Sequence, residues 1–209
     1  MFRFRNSSTL VACLAALAVG VGGCSGNHSI LPIAAPQVAG SNARPAHSPH
    51  GLARLASQPP VGMQMAFLMT DGSVLTQGFD ASSWYRYTPD ANGGYVNGTW
   101  TQVASLPSNY CPSAFASAVL ADGRLLISGG EYNCPYNYDL QLTNLGAVYD
   151  PKTNAWTPIG HPKGWRWIGD SPSTLLPDGR FLLGQKLTHQ DAVLDPATLQ
   201  WTRLTDTGK

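Results

Sequence analysis

Two cysteines, one isolated aspartate and two scattered histidines are the residues here whose types invite chemistry. Cys111 and Cys134 lie equidistant from the Asp122-Gly123 pair. If that pair closes a hairpin, its arms bring the two thiols side by side, and in an oxidising compartment they are expected to form a disulfide. Asp170 has no partner acid at a spacing that suits glycoside hydrolysis, so its expected role is to accept backbone N–H bonds in a turn. His161 and His189 are single and widely spaced. No Gly-x-Ser-x-Gly elbow and no Ser/His/Asp set occurs. No catalytic residue, metal ligand or cofactor is assigned.

The remaining candidates are aromatic. Trp165 and Trp167 precede one strand-like segment, and Tyr132, Tyr136 and Tyr138 follow another, interleaved with Asn133 and Asn137. Aromatic faces beside amide groups suit carbohydrate stacking or protein contact. Tyr132, Tyr136, Trp165, Trp167 and Asp170 therefore form the candidate ligand-binding surface, with a carbohydrate or a protein as partner. Nucleic acid is excluded on charge. The 13 Lys and Arg balance 12 Asp and Glu, and no basic cluster is present to displace counterions from a phosphate backbone.

Those residues need a scaffold, and the composition describes one. Charged residues make up 12% of 209, about half the usual share, while Gly and Pro number 22 and 16. Such a mix fits short strands and tight turns. Asp71-Gly72, Asp122-Gly123 and Asp178-Gly179 each sit between apolar runs, the signature of a hairpin closed by a two-residue type I′ turn. Each copy continues to a Pro-Asp or Asp-Pro turn at Pro89-Asp90, Asp150-Pro151 or Asp195-Pro196. Each then reaches a Trp-Thr pair at Trp100, Trp156 or Trp201. The repeating unit is thus four strands and two hairpins, with a Trp on the last strand to wedge between neighbouring units. The run 114–121 is nearly all small and apolar, as in strands covered on both faces.

The segment Ala121-Asp122-Gly123-Arg124-Leu125-Leu126-Ile127-Ser128-Gly129-Gly130, followed by Val148-Tyr149-Asp150-Pro151 and Trp156, resembles a kelch repeat. It is closest to the bacterial kind related to the central domain of galactose oxidase. In the outer copies the double glycine is matched to Gln77-Gly78 and Leu183-Gly184. The resemblance implies an all-β, kelch-type β-propeller fragment of three four-stranded blades in an open arc. Blade 1 spans 61–108, blade 2 spans 109–163 and blade 3 spans 164–209. Propellers close with about 4–8 blades, so the expectation is a front portion of a longer protein or a truncated frame, with self-association through its open blade faces. Asn109-Tyr110-Cys111-Pro112 is also similar to the galactose oxidase segment whose Cys is cross-linked to a copper-ligating Tyr, and Asp170 falls at the position of that Tyr. A degenerate or truncated copper oxidase relative is therefore an alternative, and a scaffold part completed by another chain is a third.

The N-terminus reads as a leader. Arg3 and Arg5 precede an apolar run from Leu10 to Val21, too short to span a bilayer. Val21-Gly22-Gly23-Cys24 resembles the lipobox of bacterial lipoproteins, which implies a signal peptide at 1–23 and lipidation of Cys24. Residues 24–60 are rich in Ser, Ala and Pro and read as a flexible tether. His28, His47 and His50 lie in it, with no fixed geometry for a metal. The expectation is a non-enzymatic binding module, exported and lipid-anchored at the outer membrane or cell surface.

Overall fold

The computed structural model describes residues 52–134 and 140–205, all within the compact unit Pro45–Lys209. The expected signal peptide, Cys24 and the tether histidines lie outside the described residues, as do Tyr136, Asn137 and Tyr138.

Twelve strands form three antiparallel sheets of four, paired in chain order. Blade 1 contains β1 (Met63–Leu68), β2 (Val74–Gly78), β3 (Trp84–Thr88) and β4 (Thr99–Val103). Blade 2 contains β5 (Ala116–Val119), β6 (Leu125–Ser128), β7 (Gly146–Asp150) and β8 (Ala155–Ile159). Blade 3 contains β9 (Ser173–Leu175), β10 (Phe181–Gly184), β11 (Asp191–Asp195) and β12 (Gln200–Arg203). The architecture is an open arc of a kelch-type propeller, and no helix occurs among the described residues.

The Asp-Gly pairs do close hairpins, but with a different turn from the one expected. Leu120 N–H donates to Arg124 O at 2.8 Å and Gly123 N–H donates to Leu120 O at 3.0 Å. Gly123 alone has positive φ, at 91°; Asp122 does not. This is a type I turn followed by a left-handed glycine, a three-residue loop with a G1 bulge. Gly72 and Gly179 repeat it at 81° and 85°. The Asp carboxylate accepts the N–H two residues on in every copy, at 2.9 Å from Ser73, 3.1 Å from Arg124 and 3.0 Å from Arg180.

The three-residue loop moves the hairpin register by one residue. Ala116 pairs with Ser128 and Val119 with Leu125, which alone would misalign the cysteines. Ala114 then adopts φ 51° and Gly129 and Gly130 adopt 79° and 140°. Beyond that irregularity Ser113 pairs with Tyr132, so the offset is reversed just before Cys111 and Cys134. The same register corrects the glycine alignment. Gly129 N–H donates to Leu145 O at the start of the third strand, and the equivalent donors are Gly78 (to Ser83 O) and Gln185 (to Gln190 O). Gly129-Gly130 therefore matches Gly78-Phe79 and Gln185-Lys186.

Two apolar clusters cement the arc. Leu75, Trp84 and Phe67 of blade 1 meet Leu125, Ile127, Tyr149 and Trp156 of blade 2. Leu126 and Val148 of blade 2 meet Phe181, Leu183, Ala192 and Leu194 of blade 3. Strands β6 and β7 are buried along nearly their whole length, whereas β5 is only half-buried after Ala116. The doubly covered strands are thus the middle pair of blade 2, not the run 114–121.

The outer-strand tryptophans also lock each blade to what precedes it. Trp156 Nε1–H donates to Ala104 O at 2.9 Å and Trp201 Nε1–H to Gly160 O at 2.7 Å. Ala104 and Gly160 are the first residues after β4 and β8. Trp100 makes the same bond to Ser57 O at 3.3 Å.

The turn aspartates carry a pH dependence. Arg124 holds the Asp122 carboxyl below its ordinary value through a side-chain hydrogen bond, which outweighs partial burial. For Asp71, burial pushes upward but is overcome by hydrogen bonds from Ser73 and by the Arg86 charge. A carboxyl lowered in the folded state adds stability above its unfolded value, about 3.9. That stability is lost as pH falls through the lower folded value. Asp122→Asn and Asp71→Asn should therefore be less stable than wild type at pH 7, and the difference should vanish near pH 2. Denaturant titrations at both pH values check this; an undiminished gap at low pH would contradict it.

Candidate functional site

Strands alternate in direction, so the loops entering β1, β5 and β9 share one end of the arc with the loops that join the second and third strands of each blade. The candidate surface lies at this end.

Its firmest point is the Cys111–Cys134 disulfide, with Cα atoms 5.4 Å apart. Around it Asn133 Oδ1 accepts Cys111 N–H at 3.0 Å and Asn133 Nδ2 donates to Asn109 O at 3.2 Å. One covalent and two polar ties thus hold the stretch carrying Tyr132 against the entry to β5, and Tyr132 is half-buried there. The neighbouring Tyr110 is buried and its hydroxyl donates to Gly129 O at 2.8 Å; burial pushes that phenol well above its ordinary value. The Cys111 sulfur is bonded to Cys134 and is not joined to a tyrosine.

Asp170 is not alone. Lys186 Nζ contacts Asp170 Oδ1 and donates to Glu131 Oε1 at 3.0 Å. These three residues come from the β8–β9, β10–β11 and β6–β7 loops, so one ammonium joins loops of blades 2 and 3. The hydrogen bond to Asp170, then that to Glu131, raises the Lys186 ammonium above its ordinary value. Neither Lys186 nor Glu131 stands out in the sequence, because their separation of 55 residues carries no local pattern.

The two tryptophans part ways. Trp165 is 2% exposed and packs in the blade 2–blade 3 cluster with Ile168 and Phe181. It offers no ring to a ligand and is removed from the surface. The physical reason is that the chain between blades must fill the wedge between their sheets, and a large indole does so. Trp167 is half-buried, with the Arg166 guanidinium 5.2 Å above its ring. His161 and His189 are exposed, and no group of three or more potential metal ligands occurs among the described residues.

A further pattern appears only once the blades are aligned. Among the described residues, the loop between the second and third strands carries one exposed large apolar side chain in each blade. These are Phe79 at 55%, Leu140 at 63% and Leu187 at 59% exposure. They line the same end as Tyr132, Trp167 and the Glu131–Lys186–Asp170 cluster.

No protein-family profile matches the chain. Over 89 residues, 43% of this chain, it is 30% identical to Kelch-like protein terF of Aspergillus terreus, covering 18% of that protein. Among solved structures it resembles that of YjhT, with a TM-score of 0.52 at 19% identity, over 71% of this chain and 52% of that one. A fungal alcohol oxidase of the AA5 family in complex with copper is similar over 68% of this chain and 53% of its own. Its TM-score is 0.33 and its identity 14%, too loose to bear on chemistry. The chain therefore spans about half of YjhT and under a fifth of terF. The likeness supports a kelch propeller relation.

Proposed function

We propose that this kelch propeller module is a non-enzymatic binding unit that engages a carbohydrate or protein ligand through the loop end of its arc. One observation carries the reading. Three blades each place an exposed apolar side chain (Phe79, Leu140, Leu187) on the loop joining the second and third strands, at the end of the arc that also carries Tyr132, Trp167 and the ion cluster at Lys186. Exposed large apolar side chains at an end that also presents aromatic and charged groups suit an interaction site.

The test is a glycan array and a panel of purified extracellular proteins probed with the chain and two variants. Phe79→Ser/Leu187→Ser should reduce any specific signal at least about tenfold, a loss of about 1.4 kcal/mol. Tyr95→Ser/Val96→Ser, in the β3–β4 loop, should leave it unchanged. Equal loss in both, or in neither, removes the loop end from the proposal.

The proposal includes export and lipid anchoring at Cys24, supported by the leader pattern in the sequence. Labelled palmitate should enter wild-type protein and not Cys24→Ala; equal labelling of both would defeat the anchor.

A further inference from the structure

We infer that a cleft between blades 2 and 3, at the end of the arc opposite the candidate surface, binds a primary alkylammonium group, the chemistry shared by a free diamine and a lysine side chain.

Strand alternation gathers at that end the turns that join the first two and the last two strands of each blade. Three of these turns meet around a cleft of about 440 Å³, a size within the range of small-molecule sites. The β5–β6 turn contributes Ala121 and Asp122, the β9–β10 turn Asp178 and Arg180, and the β11–β12 turn Asp195 and Ala197. Arg124 bridges the two blades beside it. Its Nε donates to Asp122 Oδ2 at 2.9 Å and its Nη2 to Pro196 O at 2.6 Å.

The groove between blades 1 and 2 is built from the same three turns, and there two of the chain's own side chains enter it. Thr70 stands where Ala121 stands, one residue before the turn aspartate. A Cβ on Gly123 would fall 2.8 Å from Thr70 Oγ1, whereas a Cβ on Gly179 would meet no atom within 4 Å. The second difference is Lys152, which stands where Ala197 stands. Each donates its N–H to the Asp two residues back at 2.8 Å, and two residues on the chain turns through φ 50° at Asn154 or 57° at Leu199. Lys152 therefore projects an ammonium on an aliphatic stem from a turn that is otherwise the same. The hydrogen bond from Arg124 chiefly holds the Asp122 carboxyl below its ordinary value, and the Lys152 charge adds to it. In the cleft between blades 2 and 3 both side chains are cut back to alanine.

The charges left there call for a cation. Asp122 pairs with Arg124 at 2.6 Å and Asp178 with Arg180 at 2.7 Å. Among the described residues Asp195 accepts only the Ala197 N–H and pairs with no cation. Three carboxylates thus face two guanidiniums, and one guest ammonium restores the balance that Lys152 supplies in the first groove. Leu120, Ala121, Pro196 and Ala197 give its methylenes apolar contact, as lysine stems commonly find.

The test is a titration of the chain followed by two-dimensional amide NMR. The probes are cadaverine and N-acetyl-lysinamide, with pentanol as the neutral control. At least one amine should bind saturably with a Kd of about 1 mM or lower, shifting the amides of Asp122, Gly179 and Ala197. Binding of the lysine probe assigns the cleft to a protein lysine, and binding of cadaverine alone assigns it to free diamines; either supports the inference. Ala121→Thr and Ala197→Lys install what the fold itself carries at Thr70 and Lys152, so both should fold. Each should weaken binding at least about tenfold, as should Asp195→Asn, which removes the unpaired charge. Unchanged amide shifts away from the cleft report the retained fold. Pentanol that shifts the same amides as strongly as the amines overturns the inference. So does the absence of saturable binding, or binding undiminished in any of the three variants.

Discussion

Trp84→Ala is expected to cost about 3–5 kcal/mol of folding stability. Trp84 is fully buried on β3, its ring 4.9 Å from that of Trp156 across the blade interface and 6.2 Å from that of Phe67 on its own sheet. Removing the indole opens a cavity between two sheets whose positions are fixed by their own ladders, so collapse around it is limited. Trp156→Phe is the contrasting variant. It keeps most of the ring and loses the N–H bond to Ala104 O, a loss of about 1 kcal/mol. Urea titrations of the two variants should separate by at least about 2 kcal/mol. A Trp84→Ala loss below about 1 kcal/mol would mean that the blades slide together, and the interface would have to be regarded as soft.

Removal of the Cys111–Cys134 bond is the second large effect. The bond closes a loop with a sequence separation of 23, worth about 3 kcal/mol on the chain-entropy account. Cys111→Ser, Cys134→Ser and the double variant should fall by similar amounts, since each abolishes the same cross-link. Reductant should lower wild type to the same level and leave the variants unchanged. The loss should be accompanied by faster amide exchange in residues 129–134 and 140–145, which the disulfide and Asn133 hold to the entry of β5. Stability indifferent to reductant would show that the hydrogen bonds of Asn133 suffice.

The sequence made the scaffold legible because its information is repeated. Three Asp-Gly pairs, three Asp turns and three outer-strand tryptophans agree in order, and each marks a feature found in the structure. The turn type escaped because Asp-Gly serves both the two-residue turn and the three-residue loop in which a type I turn is followed by a bulge. The cysteine pairing was reached despite this, since a second irregularity at Ala114, invisible in the sequence, reverses the slip. Trp165 was misplaced because exposure is a property of where blades meet, and nothing local distinguishes it from Trp167. Phe79, Leu140 and Leu187 were passed over for the opposite reason. Each is an exposed apolar residue in a loop, and its meaning lies in the place that loop holds in all three blades. Gly78, Gly129 and Gln185, set in register, mark where that loop begins in each blade.

That register also shows where the fold tolerates novelty. The same hydrogen bond closes the base of the second-to-third strand loop in every blade, yet it encloses residues 79–82 in blade 1, 186–189 in blade 3 and 130–144 in blade 2. A roughly fourfold difference in length changes closure entropy by only about 1.2 kcal/mol, and blade 2 sets a disulfide against it. The two short loops are therefore natural graft points. A foreign segment flanked by a cysteine pair and inserted between Gln185 and Gln190, or between Gly78 and Ser83, would enter where the blade already accommodates an insertion. The arc thus has the makings of a display scaffold, with a loop position whose length can be varied while the strands beneath it stay in place.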